Sequence, residues 1–227
     1  VYNKFLNPET LTKAYNFALK AHEKQKRDEG SPYIIHPVAV ANILTELKLD
    51  SATIATGLLH DTIEDTHATY HTIKEEFGLE VADLVDGVTK LTKIQLSSAK
   101  VKQAENFRKL VLAISNDIRV LLIKLIDRLH NMQTLYHVKK QEKRLRIAQE
   151  TMDIYAPLAE RIGMKNLQDE LQDLAFAELH TQAFQSIRLR LDSIERDGIG
   201  HIEDIVSRLK IILGKANIKA SPCFVPS

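Results

Sequence analysis

Apolar residues recur at intervals of three and four along most of the chain, which is the period of an amphipathic α-helix. The first such stripe consists of Leu11, Ala14, Tyr15, Ala18, Leu19 and His22. Asn7 precedes it as a candidate N-cap, and Pro8 occupies the first helical position. No segment alternates apolar and polar residues over a convincing strand length. The pattern therefore predicts an all-α fold.

The same period predicts a series of further helices, separated by glycines, prolines and capping residues. One of these helices is capped by Asp50 and Ser51 and carries His60 near its end. The other predicted segments are about 37–47, 70–77, 80–91, 102–115, 118–137, 142–155, 166–180 and a long polar-faced segment to about 213. Segment 118–137 is apolar over most of its surface, so we expect it at the centre of the fold. Segment 92–101 has no apolar period and is predicted to be a mobile loop.

The helical pattern places the predicted domain boundary close to the C-terminus. We expect residues 1–213 to form one domain, because a chain of 227 residues can bury a substantial core. Residues 214–227 lose the helical period and are predicted to form a C-terminal tail.

Composition and charge narrow the classes of protein. The net charge of +1, with 44% hydrophobic and 27% charged residues, gives no sign of bulk electrostatic binding to nucleic acid. Cys223 is the single cysteine, which excludes a disulfide within the chain and a cysteine-based zinc site and fits a reducing cytoplasm. Apolar segment 118–126 contains Arg119 and Lys124 and is too short to span a membrane, and no secretory leader opens the chain. We therefore expect a cytoplasmic protein without nucleic-acid or membrane partners.

Ionisable residues cluster directly after the apolar run that ends at Leu59. His60 and Asp61 are followed one helical turn later by Glu64 and Asp65, so the side chains share one side of a helix. Three of the four are acidic, and burying them unpaired would be costly. A divalent cation would compensate this charge, which points to a metal-dependent hydrolase.

A second cluster lies in the central segment 118–137. Asp127, His130 and Asn131 share one face of a helix whose other positions are largely apolar. A buried acid there needs a partner, and a cation shared with the first cluster would supply one. We expect His130 to orient Asp127 or a phosphate, with a purely structural role as the alternative. Arg128 is expected to be the nearby side-chain cation.

His36 adds a second imidazole to the candidate site. The set of two imidazoles and two carboxylates consists of His36, His60, Asp61 and Asp127. This ligand type suits a first-row dication such as Mn²⁺, Fe²⁺ or Zn²⁺ and leaves positions open for water and a phosphate oxygen. The order of these residues is the one that gives the HD phosphohydrolase superfamily its name.

Several longer segments resemble the hydrolase domain of the RelA/SpoT stringent-response enzymes. The matching segments are 33–37, 59–66, 85–91, 104–109, 127–132 and 154–159. They occur in the family's order, and the resemblance runs from about residue 11 to about residue 213. It implies an all-α, multi-helix HD-superfamily phosphohydrolase domain from a bacterial cytoplasm.

The resemblance implies hydrolysis of guanosine tetra- or pentaphosphate, (p)ppGpp, at its 3′ position, which returns GDP or GTP and pyrophosphate. Mn²⁺ is the implied cofactor, and its implied ligands are His36, His60, Asp61 and Asp127. Glu64 and Asp65 are implied to position or deprotonate the attacking water. The residues matched to the family's guanine-nucleotide site are Arg27, Tyr33, Asn131 and Thr134, and Lys124 and Arg128 are added as predicted substrate contacts.

Two features depart from the family pattern. Asp28 and Glu29 stand where the family usually has a basic and a small residue, and acidic groups are unfavourable beside a polyphosphate. Nearby basic residues, among them Arg27, offset part of this charge. The Gly-Arg-Pro motif that opens the family's synthetase domain is not found in residues 214–227, so we expect no alarmone synthesis from this polypeptide.

Two other functions are compatible with the same residues. Small stand-alone members of the family can act as NADPH 2′-phosphatases, which keeps the metal chemistry and changes the substrate. The chain could instead be a remnant of a split bifunctional enzyme that binds a nucleotide or a partner protein without turnover. The intact set of ionisable residues favours the enzyme, and the sequence leaves the oligomeric state undetermined.

Overall fold

The computed structural model describes residues 6–93 and 117–218, and the side chains of these residues except at positions 93 and 195–204. This part of the chain consists of α-helices joined by short turns. It contains no β-strand, only an isolated antiparallel bridge between Lys26 and Pro32. The predicted all-α fold is confirmed. The predicted helix 102–115 and most of the predicted loop 92–101 lie outside the described residues.

The described helices follow the predicted order closely. They are α1 (Pro8–Ala21), α2 (Ile35–Glu46), α3 (Ser51–Leu59), α4 (Thr62–Asp65), α5 (Tyr70–Phe77), α6 (Leu79–Lys93), α7 (Ile118–Gln133), α8 (Gln141–Glu150), α9 (Ala156–Arg161), α10 (Lys165–Leu179) and α11 (Thr181–Lys215). A 3₁₀ turn covers Leu135–His137, and a π-helical turn covers Thr151–Tyr155. Among the described residues, no helix combines the length and apolar character needed to cross a membrane.

The chain divides into two compact units, residues 1–179 and 180–227. The first contains α1 to α10, and the second contains the long helix α11. The predicted domain boundary near residue 213 stays a prediction.

Side-chain caps begin the helices where the sequence indicated them. Asn7 accepts hydrogen bonds from the backbone N–H groups of Glu9 and Thr10, which would otherwise lack partners at the start of α1. Asp50 caps α3 through the N–H of Thr53. Each such cap stabilises its helix by about 1 kcal/mol.

The apolar stripe of α1 is narrower in the structure than the sequence suggested. Ala14 and Ala18 are fully buried, but Tyr15 and Leu19 are 39% and 42% exposed. The reason is that α1 packs mainly against one neighbour, α3, so that only one line of side chains is covered.

Helix α7 is central, as predicted. It packs against α2, α6 and α10, and most of its residues are buried. Burying a side chain such as Ile123 or Leu125 stabilises the fold by about 1.5–3 kcal/mol. The helix ends at Gln133, four residues earlier than predicted, and the 3₁₀ turn follows. Because α7 is packed on several sides, the polar residues that it carries are held in defined positions.

The predicted helix 142–155 is divided, because a π-helical turn follows α8. Pro157 has no N–H to donate to the carbonyl group of residue 153, so the regular α-helical ladder is interrupted. The N–H of Ala156 instead bonds to the carbonyl oxygen of Thr151, five residues back. Gly163, with a φ of +79°, then ends α9 in a conformation that favours glycine.

Candidate active site

Three helices meet at a buried cluster of ionisable residues. His36 lies at the start of α2, His60 directly follows α3, and Asp127 lies in α7. Their exposed fractions are 1%, 1% and 4%, and their ligand atoms all lie within 4.8 Å of one another. The packing of α2, α3 and α7 therefore brings together three of the four predicted metal-ligating residues.

Asp61, the fourth predicted ligand, borders this cluster. Its Oδ2 atom lies 3.1 Å from Nε2 of His60 and 3.7 Å from Nε2 of His36. Tyr33 donates a hydrogen bond to the same oxygen at 2.7 Å. Asp61 thus faces both imidazoles and is held in place by a phenol.

The lone pair of His60 fits a metal ligand. Its Nδ1 atom lies 2.7 Å from the carbonyl oxygen of Gly57, which can only accept, so Nδ1 carries the proton. In the neutral imidazole Nε2 then carries the lone pair, and this atom is buried without a hydrogen-bond partner although Asp61 is close. A buried lone pair beside two carboxylates suits a divalent cation, so the residues present fit the expected metal.

His36 is oriented by a second histidine. Its Nδ1 atom lies 2.7 Å from Nδ1 of His130. Burial, and then repulsion from His36 and Arg27, lowers the pKa of His130 to about 4, so its imidazole is neutral near pH 7. A neutral His130 can accept the proton of His36 Nδ1, which leaves Nε2 of His36 free to act as a ligand. The hydrogen-bond partner of His130 is His36 and not Asp127, and the expectation that His130 orients a phosphate stays a prediction.

Asp127 is surrounded by donors on its own helix. Lys124 Nζ lies 2.6 Å from Oδ2, and the amide of Asn131 donates to Oδ1 at 2.6 Å. Burial alone would raise the pKa of Asp127, but the charge of Lys124 outweighs it and holds that pKa well below its usual range. The nearby cation is therefore Lys124, whereas Arg128, the cation expected from sequence, pairs with Glu150 at 3.3 Å.

The charges of this cluster favour a protonated His60 when no metal is bound. Burial alone would lower the pKa of His60, but attraction to Asp61 and then to Asp127 raises it to about 10. The same attraction holds the pKa of Asp61 below its usual range, against the effect of burial. Without a metal, the positive charge of the His60 imidazolium thus partly compensates the carboxylates, which a divalent cation would compensate more strongly.

The two doublets do not lie on one continuous helix, because His60 and Asp61 form the turn between α3 and α4. Helix α3 ends at Leu59, and Glu64 and Asp65 belong to the short helix α4. Both side chains are exposed, and Asp65 accepts a hydrogen bond from Tyr33 at 3.3 Å. Partial burial, and then repulsion from Asp61, raises the pKa of Asp65, which suits a proton acceptor.

All six predicted substrate contacts line one cavity of about 400 Å³ beside Asp127. These residues are Arg27, Tyr33, Lys124, Arg128, Asn131 and Thr134. Arg27 donates a hydrogen bond to the hydroxyl group of Thr134 at 2.8 Å, which ties the turn before α2 to the end of α7. The cavity is therefore built from the chain segments that the resemblance indicated.

Lys143 and Arg146 also line this cavity, and sequence reasoning missed them. They lie on α8, whose polar residues give no pattern that separates a site from a solvated surface. Lys143 lies 3.7 Å from Asp28. Glu29 accepts a hydrogen bond from the hydroxyl group of Ser31. The two acidic residues that depart from the family pattern thus already have partners.

A larger cavity of about 1090 Å³ lies elsewhere, along α1 and α5. It contains none of the predicted metal, catalytic or substrate residues. Size alone therefore does not identify the active site, and the smaller cavity is the one next to the ionisable cluster.

An all-α fold with a buried pair of histidines and an aspartate is typical of domains that hold a divalent metal. The model of the HD domain family matches residues 14–165, and this chain belongs to that family.

Within that family, the chain is related to RelA/SpoT proteins over nearly its whole length. GTP pyrophosphokinase rsh of Brucella melitensis biotype 1 is 52% identical over 220 residues, which are 97% of this chain and 29% of that protein. The bifunctional (p)ppGpp synthase/hydrolase SpoT of Escherichia coli K12 is 47% identical over 215 residues, 95% of this chain and 30% of that protein. The predicted relationship is confirmed, and the chain spans only 29–30% of the length of these relatives.

A solved structure gives the same relationship. It is described as a metazoan ortholog of SpoT that hydrolyzes ppGpp and plays a role in starvation responses. The TM-score is 0.59 with 26% sequence identity, and the match covers 77% of this chain and 97% of that chain.

Proposed function

We propose that this protein hydrolyses guanosine 3′-diphosphate 5′-di- or triphosphate, (p)ppGpp, to GDP or GTP and pyrophosphate. The observation that carries this proposal is the buried cluster of His36, His60 and Asp127 beside a cavity with basic walls. The names of SpoT from Escherichia coli and of the metazoan ortholog support it, because both name (p)ppGpp or its hydrolysis.

We infer that Mn²⁺ is the physiological cation and that Asp61 joins the other three residues as a ligand. The buried lone pair of His60 and the approach of Asp61 to both imidazoles support this ligand set. A divalent cation held there supplies Lewis acidity, which eases the ionisation of water and draws charge from a phosphate oxygen. Nitrogen and oxygen donors also suit Fe²⁺ and Zn²⁺, so comparing activity with each of the three cations identifies the metal.

In this proposal Glu64 and Asp65 position the attacking water and accept its proton. The raised pKa of Asp65 supports that role, since a carboxylate with a higher pKa is a better base. The water oxygen forms a bond to the phosphorus atom attached to the 3′ oxygen. The bond between that phosphorus and the 3′ oxygen breaks, and the 3′ oxygen leaves as a hydroxyl group with the proton that the carboxylates accepted from the water. The single hydroxyl group of Tyr33 lies 2.7 Å from Asp61 and 3.3 Å from Asp65, so it holds these two carboxylates close to each other.

The cavity offers a surface for a highly charged substrate. Six basic side chains line it: Lys26, Arg27, Lys124, Arg128, Lys143 and Arg146. Four acidic residues line it as well, and three of them are paired with basic residues. Asp127 pairs with Lys124, Glu150 with Arg128, and Asp28 with Lys143. The net positive lining supports a polyphosphate ligand, and we propose breakdown of the stringent-response alarmone in the cytoplasm as its setting.

The proposal is tested by measuring pyrophosphate release from guanosine tetraphosphate with Mn²⁺, in the parent protein and in an Asp127→Asn variant. Asparagine keeps the shape of the side chain and removes the charged ligand. We expect the variant to lose activity by about 100-fold or more, because a metal contributes several kcal/mol to such a reaction. Asp169→Asn, at an exposed position on α10, is the matched control and is expected to keep full activity.

Three outcomes separate the candidate functions. Release of pyrophosphate that depends on Mn²⁺ and on Asp127 supports the proposal. Release of phosphate from NADPH, without turnover of guanosine tetraphosphate, would replace it with the phosphatase. A folded, metal-loaded protein that turns over neither substrate would contradict both enzymes and favour the binding remnant.

A further inference from the structure

Arg128 is held from two sides at the wall of the candidate cavity. Its Nη2 atom lies 3.3 Å from Oε2 of Glu150, and its guanidinium carbon lies 4.0 Å from the centre of the Tyr155 ring. Arg128 and Glu150 line the cavity, while Tyr155 is buried and does not. The ring therefore supports the guanidinium from behind, and the ion pair fixes its direction within the cavity wall.

The two residues that hold Arg128 are brought to one side by the π-helical turn. Glu150 ends α8, and Tyr155 is the last residue of the turn Thr151–Tyr155. In a regular α-helix, residues five positions apart point about 140° away from each other. Hydrogen bonds from residue i+5 to residue i widen the turn, so residues five apart come onto nearly the same side. With this turn, Glu150 and Tyr155 lie on nearly the same side, and both contact Arg128.

We propose that Glu150 and Tyr155 are positioning residues that hold Arg128 ready to bind a phosphate group of the substrate. A guanidinium has five N–H groups, so those not directed at Glu150 stay available for phosphate oxygens. The inference rests on the proposed function for the identity of the substrate. It assigns a role to segment 154–159, which resembles the RelA/SpoT family but contains none of the proposed metal ligands or catalytic residues. It also accounts for a π-turn placed directly beside the site.

The first measurement is calorimetric binding of inorganic pyrophosphate, which needs no turnover. We compare the parent protein with Tyr155→Leu, Arg128→Met and the double variant. We expect each single variant to bind pyrophosphate about five- to tenfold more weakly, and the double variant to be no weaker than Arg128→Met alone. Tyr155→Phe keeps the ring under the guanidinium and is expected to bind like the parent. Tyr15→Leu on α1 is the matched control.

The second measurement is the steady-state rate with guanosine tetraphosphate. We expect Tyr155→Leu to raise KM by a similar factor and to change kcat little, because the metal cluster is untouched. Glu150→Gln is a partly exposed substitution that keeps the inference testable if Tyr155→Leu fails to fold, and it is expected to raise KM as well.

Several results would overturn the inference. These are additive losses in the double variant, parent-like binding by both Tyr155→Leu and Glu150→Gln, or no binding of pyrophosphate by the parent protein. Failure of the proposed function is a different result: the parent would then not hydrolyse guanosine tetraphosphate, while the coupling between Tyr155 and Arg128 in pyrophosphate binding would persist.

Discussion

Lys124 and Asp127 form an ion pair of 2.6 Å, one helical turn apart on α7, in the interior of the protein. Both side chains are almost fully buried, and the attraction between them overcomes the cost of burial for each charge. This pair allows a carboxylate to be buried in the central helix α7, where it faces the two imidazoles of His36 and His60. The candidate metal centre depends on it.

Removal of Lys124 should therefore destabilise the metal-free protein strongly. We expect Lys124→Met to lower the free energy of unfolding by about 3–5 kcal/mol, because it leaves the charge of Asp127 buried with only part of its compensation. Urea denaturation with a chelator present measures this. Lys165→Met removes an ion pair to Asp169 at the surface and should cost less than about 1 kcal/mol. Equal losses from the two variants would contradict the account given for Asp127.

The contact between His36 and His130 makes a prediction about metal affinity. Replacing His130 with phenylalanine removes the acceptor that fixes the proton on Nδ1 of His36. We expect Mn²⁺ affinity to fall by about 10- to 100-fold, the usual effect of losing a partner that orients a ligand. Titration calorimetry measures the change, and His71→Phe, at an exposed position, serves as control. Unchanged affinity in His130→Phe would show that His36 keeps its orientation unaided.

The raised pKa of His60 predicts how the stability of the metal-free protein changes with pH. Its pKa rises from 6.5 to about 10 on folding, so the folded state binds more protons between these values. The stabilisation from His60 is then complete below about pH 6.5 and is lost as the pH rises towards 10. Asp61 and Asp127, with lowered pKa values, stay charged throughout this window.

Urea denaturation of the chelated protein at pH 6.5 and at pH 9.5 tests this sign. The parent should lose stability between the two values, and His60→Gln should lose clearly less. Saturating Mn²⁺ should reduce the loss in the parent, because a bound cation takes over the compensation of the carboxylates. A parent protein that gains stability over this range would contradict the charge state inferred for His60.

The ion pair between Asp28 and Lys143 makes a prediction about substrate binding. Asp28→Asn releases Lys143 to face the substrate and removes a negative charge from the cavity. We expect KM for guanosine tetraphosphate to fall about two- to fivefold, and Lys143→Met to raise it by a similar factor, as suits a partly exposed charge. Both effects should weaken at high salt.

The matched controls for this pair are Asp169→Asn and Lys165→Met, which belong to an exposed ion pair on α10. They should leave KM unchanged. If Asp28→Asn raises KM, then Asp28 contacts the substrate directly, and the departure from the family pattern at this position is an adaptation for binding.

Much of the fold and of the site could be predicted from the sequence, because it depends on residues that are close together along the chain. Asn7 and Asp50 begin helices through bonds to residues two or three positions away, so capping is readable from neighbours alone. The residue types of His36, His60, Asp61 and Asp127 likewise define a metal-binding set before any packing is known. Lys124 was also within reach of sequence reasoning, because residues three apart on a helix are neighbours.

Other features depended on how distant segments pack. The order of residues along the chain does not show which side of α8 lines the cavity, so it does not single out Lys143 and Arg146. It also does not show that His130 meets His36. The π-turn was missed because Pro157 indicates an interruption of the helix but not the way in which hydrogen bonding resumes.

By itself, the sequence determined the helical period, the caps and the set of ligand types, because these depend on residues within a turn or two of each other. Only the tertiary structure decided which distant side chains contact each other in the site. His36 meets His130 across 94 positions of the chain, and Arg27 meets Thr134 across 107. Such contacts form only when the apolar faces of α2, α3 and α7 bury one another, and that packing sets the distances on which the chemistry depends.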